Sequence, residues 1–185
     1  YVNLRAVPRT STLDLVRKLI HRPRRLRRTA ALRNLVRETK LGTEDVILPL
    51  FVSEKISERR AISTMPGVFQ LSLSEIADEA SRARDTGLEA IILFGIPAAK
   101  DEKASGAYAD NGVVQEAVRK IKAKCPELVV ITDVCLCEYM SHGHCGLVHQ
   151  HDSGAVVKND PTLKLLARTA ASHAEAGADI VAPSD

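Results

Sequence analysis

No apolar run in the 185 residues approaches the roughly 18 needed for a membrane-spanning helix, and no secretory leader is visible at the start. No membrane partner is expected, and the expectation of a cytoplasmic location rests on cysteine usage. No Gly-rich phosphate loop follows the first strand-like segment, which weakens a dinucleotide-binding reading. Cysteine is scarce: there are four in all, split three and one. That distribution suits a metal better than a disulfide framework and implies a reducing compartment. What remains is 45% hydrophobic and 26% charged residues, the balance of a soluble globular protein of one domain or slightly more.

The net charge of +3 conceals two unlike parts. Residues 1–40 carry 12 Lys+Arg against 2 Asp+Glu, and residues 41–185 carry 14 against 21. A basic arm (1–40) therefore precedes an acidic body (41–185). The arm holds two short helical patterns, near 11–20 and 30–38, around the arginine run 22–28. Such a composition can bind nucleic acid. However, no aromatic side chain is interleaved in the run for base stacking, and its proline and leucine suit docking. Subunit contact is the favoured reading, with no nucleic-acid partner.

In the body, strand-like and helix-like segments alternate. Strands are expected at 46–52, 90–94, 128–133 and 179–185, with Pro49 favouring an edge or bulge. A helix is expected over 74–85, with Ser72 and Glu75 at capping-box spacing and Gly87 past its end. A second should run from about residue 110 to Pro126, with Val114, Ala117, Val118 and Ile121 on one face. A third opens at Asp160-Pro161 as N-cap and first helical position and closes at Gly177. Four apolar strands separated by helices imply a parallel α/β sheet. A (β/α)8 TIM barrel needs about 250 residues, so four strands amount to half of one.

The densest chemistry lies in Asp133-Val-Cys135-Leu-Cys137-Glu-Tyr-Met-Ser-His142-Gly-His144-Cys145-Gly146. Cys135, Cys137 and Cys145 form C-x-C-x7-C at the end of the third expected strand, where parallel α/β folds collect their functional groups. Asp133, Cys135 and Cys137 share one side of an extended backbone. Three thiolates leave a coordination position open on zinc, the pattern of a catalytic site. His142 and His144 read as loop-shaping groups, His149 and His151 as solvated loop residues, and Cys125 as an inert thiol at a helix end. The polar stretch 100–112 reads as a flexible βα loop on the catalytic face. Tyr108 and Phe94 suit either a core or a pocket.

The cysteine segment, together with the arginine run at 22–27, Met65-Pro66-Gly67-Val68 and Ala182-Pro183-Ser184-Asp185, resembles the porphobilinogen synthase (δ-aminolevulinic acid dehydratase) family from about residue 20 onward. Met140 departs from the family, where threonine or serine is more usual. The resemblance implies a TIM barrel with an arm that wraps a neighbour in a homo-octamer or hexamer. It also implies condensation of two 5-aminolevulinate molecules to porphobilinogen in tetrapyrrole biosynthesis. By the same resemblance, Cys135, Cys137 and Cys145 match zinc ligands, Asp133 and Ser184 line the substrate pocket, and magnesium serves as a possible further, allosteric ion. The family's two Schiff-base lysines match no residue of 1–185; Lys55 is the only local substitute and a poor one. These 185 residues therefore read as the N-terminal part of a zinc-dependent member, inactive by themselves. The competing reading is a zinc-binding, nucleic-acid-associated module.

Overall fold

The computed structural model describes residues 21–151 and 154–184. The chain divides into two compact units, Tyr1–Leu41 and Gly42–Asp185. In the first, a 3-10 turn at Pro23–Arg27 precedes a short helix, α1 (Ala30–Leu35), and neither buries a side chain. Thr29 caps α1, its hydroxyl accepting the Leu32 N–H at 3.1 Å. The helical pattern expected at 11–20 lies outside the described residues.

The second unit is built on a six-stranded sheet. Its strands are β1 (Ile47–Ser53), β2 (Arg60–Ala61), β3 (Phe69–Ser72), β4 (Ala90–Ile96), β5 (Val129–Val134) and, after the separate hairpin β6 (Val148–His151) and β7 (Gly154–Val157), β8 (Ile180–Pro183). Their order is β2-β3-β1-β4-β5-β8. All neighbours pair in parallel except β2 with β3. The four expected strands are thus present, each within one or two residues of its expected start. The sheet is larger than four strands because β2 and β3 extend it, and it stays open. Pro49 lies in an interior strand, but at a position paired only with β4; pairing with β3 starts at Phe51. The missing N–H of Pro49 therefore costs no bond on that side.

Helices α2 (Ile76–Asp85) and α3 (Val113–Lys124) cover one face of this sheet. The expected apolar stripe of α3, Val114, Ala117, Val118 and Ile121, is buried against Leu50, Val52, Ile91, Leu93 and Val130 of the strands. Gly87 ends the α2 region at φ 88°, a left-handed position that a side chain would strain. Ser72 and Glu75 form half of the expected capping box: the Ser72 N–H donates to Glu75 Oε2 at 3.3 Å, but the Ser72 hydroxyl does not accept in return. Ser72 lies in β3 and its hydroxyl donates to Glu75 Oε2 at 2.8 Å, while α2 starts only at Ile76.

Helix α4 (Asn159–Glu175) begins two residues earlier than expected, with Lys158 at the cap position and Asp160 inside its first turn. It carries buried polar groups. Gln115 Nε2 donates both to Ser172 Oγ (2.8 Å) and to the Ala107 carbonyl (2.9 Å), tying α3, α4 and the loop after β4 together. His173, 1% exposed, sits beside them, and neither ring nitrogen finds a hydrogen-bond partner of good geometry among protein groups. Burial pushes its pKa down to about 4, against a smaller opposing pull from the Ala107 backbone.

A histidine that protonates near 6.5 when unfolded but only near 4 when folded makes the unfolded state bind more protons in between. Stability is therefore full above pH 6.5 and falls as pH drops toward 4, by up to about 1.4 kcal/mol per pH unit from this group. Denaturant unfolding of the protein and of His173→Gln at pH 7, 6 and 5 should show a shallower decline in the variant. Parallel curves would contradict this account.

Candidate metal centre

Parallel pairing brings the carboxyl ends of β1, β4, β5 and β8 to one edge. Phe51 pairs with Phe94 and Asp133 with Ala182, and the pairing of Thr132 with Leu93 puts Asp133 in the same row as Phe94. These four residues form one row on the face away from α2 and α3, where Phe51 and Phe94 stack with ring centroids 5.3 Å apart. Cys135 directly follows β5 and Ser184 directly follows β8, and continued strand alternation would carry both onto this face. Asp133 is half-buried and Ser184 exposed. Lys55 is also at this edge of β1, exposed, with its N–H donating to Ser53 Oγ at 3.2 Å.

Beyond β5 the chain turns back on itself and gathers its sulfurs. Cys135 Sγ lies 3.2 Å from Cys137 Sγ and 3.5 Å from Cys145 Sγ, and all three atoms lie within 4.8 Å of one another. Sulfurs around a tetrahedral zinc stand about 3.8 Å apart, so the spacing fits one ion with modest adjustment. No other group of three or more His, Cys, Asp or Glu side chains among the described residues is close enough to share a cation. All four cysteines are free thiols. Cys125 is buried at the end of α3, 3.5 Å from Arg84 Nη1 and apart from the trio.

Without a cation the surroundings favour the protonated thiol at Cys137. Burial foremost, then Cys135 and the Glu138 carboxylate, push the Cys137 thiol well above its usual range. Glu138 Oε2 is only 3.2 Å from that sulfur. A bound cation would reverse this preference, because a coordinating thiol is deprotonated outright. The donor set therefore fits a soft divalent ion such as zinc.

The histidines take up local structure instead. The His144 N–H donates to His142 Nδ1 at 3.1 Å, the two rings lie 5.5 Å apart, and neither joins the sulfur group. His149, expected in a loop, lies in strand β6 and is exposed.

Sequence reading missed Tyr139 and Gly95. The Tyr139 ring is buried among Ala104, Ala107, Leu136 and Met140 in a small second core beneath the cysteine segment. A Cβ at Gly95 of β4 would overlap the Tyr139 hydroxyl and come within 2.6 Å of Val114. Gly95 is thus the space that lets the cysteine segment settle onto the sheet. A glycine within an apolar strand was the available signal. The stretch 100–112 is likewise packed rather than loose, since Ala104 and Ala107 are both fully buried.

A parallel α/β sheet with a thiol trio and an aspartate at its carboxyl edge defines the class: an α/β fold that holds its chemistry at one end of its strands. Family comparison is more specific, matching residues 20–185 to delta-aminolevulinic acid dehydratase. The delta-aminolevulinic acid dehydratase of Methanothermobacter thermautotrophicus is 54% identical over 166 residues, 89% of this chain and 49% of that protein. The enzyme of that name from Synechocystis sp. is 53% identical over 163 residues, covering 88% and 50%. The crystal structure of the Toxoplasma gondii enzyme, solved with its reaction product porphobilinogen, superimposes with a TM-score of 0.84 at 34% identity, covering 91% of this chain and 47% of that one. The chain belongs to the delta-aminolevulinic acid dehydratase family, and it spans about half the length of the curated relatives it matches.

Gly95→Ala should destabilise the protein by about 1–3 kcal/mol through overpacking, and adding Tyr139→Phe should recover part of that loss. Chemical denaturation of both variants checks this. Equal stability of Gly95→Ala and the parent would show that the close approach is not maintained in solution.

Proposed function

We propose that this chain is the metal-binding, N-terminal part of a zinc-dependent porphobilinogen synthase, which condenses two 5-aminolevulinate molecules to porphobilinogen in tetrapyrrole biosynthesis. The observation that carries the reading is the sulfur trio of Cys135, Cys137 and Cys145, placed beside Asp133 at the carboxyl edge of a parallel sheet. The family match over residues 20–185 and the product named with the Toxoplasma gondii structure support the reaction.

In this reading the three cysteines hold zinc. What zinc supplies when bound is Lewis acidity at an open coordination position. Continued strand alternation would put Asp133 on the face of Cys135, one row below it, where its carboxylate would orient a substrate amino group. Ser184, carried onto that face from the neighbouring strand, would offer a hydroxyl to the same substrate. The Phe51–Phe94 stack would supply an apolar wall that excludes water. The family's Schiff-base lysines match no position here, so the 185 residues alone are expected to form no porphobilinogen. The free thiols suit a reducing, cytoplasmic setting. Among the described residues no helix is long and apolar enough to cross a membrane.

The basic arm would contact neighbouring subunits of a homo-oligomer, an octamer by analogy with the family. Its excess of Lys+Arg opposes the acidic excess of 41–185. The sheet would form the first part of a (β/α)8 barrel.

The test is porphobilinogen formation from 5-aminolevulinate by the intact protein that carries this sequence. Product should form, should stop after treatment with a zinc chelator and return when zinc is restored. Cys137→Ala should abolish it. Activity that survives both chelation and Cys137→Ala would refute the zinc assignment, and no activity with zinc bound would refute the reaction.

A further inference from the structure

The loop after β4 grips the cysteine segment by its backbone at three points. Lys100 Nζ donates to the Cys137 carbonyl at 3.2 Å. The Asp101 N–H donates to the Tyr139 carbonyl at 3.1 Å, and the Ser141 N–H donates to the Asp101 carbonyl at 3.0 Å. The last two contacts form an isolated parallel bridge between Asp101 and Met140. All three fall on the stretch that starts at Cys137 and must return to deliver Cys145 to the other sulfurs.

The turn carrying this bridge is closed by one side chain. Asp101 Oδ1 accepts the N–H groups of Lys103 (2.7 Å) and Ser105 (3.1 Å), and Oδ2 accepts the Ser105 hydroxyl. The Ser105 hydroxyl foremost holds the Asp101 carboxyl below its usual range, so it remains a charged acceptor at neutral pH. Within the turn, Ala104 is forced left-handed (φ 50°, ψ 41°) and packs, fully buried, in the small core with Leu136, Tyr139 and Met140. It is the only described non-glycine residue with positive φ. An alanine holds that conformation only where its surroundings over-determine it.

We propose that Asp101 is a positioning residue for the thiolate metal centre. Its carboxylate closes the 101–105 turn, and the turn's backbone bridge fixes the path from Cys137 to Cys145 before the ion arrives. The inference rests on the zinc reading above and adds a residue that touches neither sulfur nor substrate. A segment between two ligands with little regular hydrogen bonding of its own must otherwise be ordered by the metal, at the cost of affinity. Groups that orient metal ligands from outside typically contribute 10–100-fold in affinity.

The test measures zinc dissociation constants by competition with a chromophoric chelator, using the intact protein and its variants at one pH. The thiolate absorption of the cobalt(II) form serves as a second readout. Asp101→Ala should weaken zinc binding about 10–100-fold and broaden the cobalt spectrum. Asp101→Asn keeps an acceptor for the two N–H groups and should recover most of the affinity. Ser105→Ala, which removes only the hydroxyl contact, should fall between and carries the test if Asp101→Ala does not fold. Lys122→Ala is the control for general destabilisation. At the opposite end of β5 it removes bonds to Pro126, Leu128 and Asp179, and should lower the thermal midpoint while leaving zinc affinity unchanged. Zinc affinity in Asp101→Ala and Ser105→Ala within twofold of the parent would overturn the proposal and leave the metal reading standing. A parent that binds no zinc would overturn both.

Discussion

The structure depends on one constraint: β1, β4, β5 and β8 run in the same direction and in register. Because each strand hands its chain to a loop at the same edge, residues far apart in sequence meet there. Asp133 and Ala182 meet across one such pair, and Phe51 and Phe94 across another. The same register places the loop after β4 against the loop after β5, where the Asp101–Met140 bridge continues the β4–β5 ladder past its last regular pair. The cysteine segment is thus an extension of the sheet, held by main-chain hydrogen bonds on one side and by Tyr139 over Gly95 below.

The two faces of that sheet have different fates. The face built from Leu50, Val52, Ile91, Leu93 and Val130 is sealed by α2 and α3, and supplies the hydrophobic stabilisation. The opposite face, with Phe51, Phe94 and Asp133, is only half-buried. Parallel sheets are ordinarily covered on both faces, and closure into a barrel would cover this one with the interior of the barrel itself. That arrangement puts the apolar wall, the aspartate and the sulfurs around one enclosed space, as the proposed chemistry needs. Exposed Ile180 on the edge strand β8 fits the same picture.

Much of this was legible in the sequence because its signals are local and strong. The four apolar strands, the α3 stripe and the stops at Gly87 and Gly177 follow from periodicity and left-handed glycine positions, and the structure has them. The crowding of Cys135, Cys137 and Cys145 also marked the place where three sulfurs come together. The short hairpins escaped. Arg60 and Ala61 are a two-residue exposed strand with no alternation to read, and β6 and β7 pair only with each other, around His149 and other residues that look like loop. Helix starts shifted at α2 and α4, whose N-cap residues make no side-chain capping bond: Ser72 bonds Glu75 from within a strand, and Asp160 lies inside its own helix. The stretch 100–112 reads as polar and loose, yet two alanines, Ala104 and Ala107, anchor it in a core whose other members lie beyond residue 130. Contacts of that kind depend on the fold and leave no pattern in a local window.

The central claim is that three thiolates and one open position hold a zinc ion at the carboxyl edge of the sheet, and X-ray absorption at the zinc edge tests it most directly. The intact protein loaded with one equivalent of zinc should show three sulfur scatterers at about 2.3 Å and one lighter atom, with a sulfur lost in Cys145→Ala. A first shell made only of nitrogen and oxygen, or one unchanged by that substitution, would contradict the account.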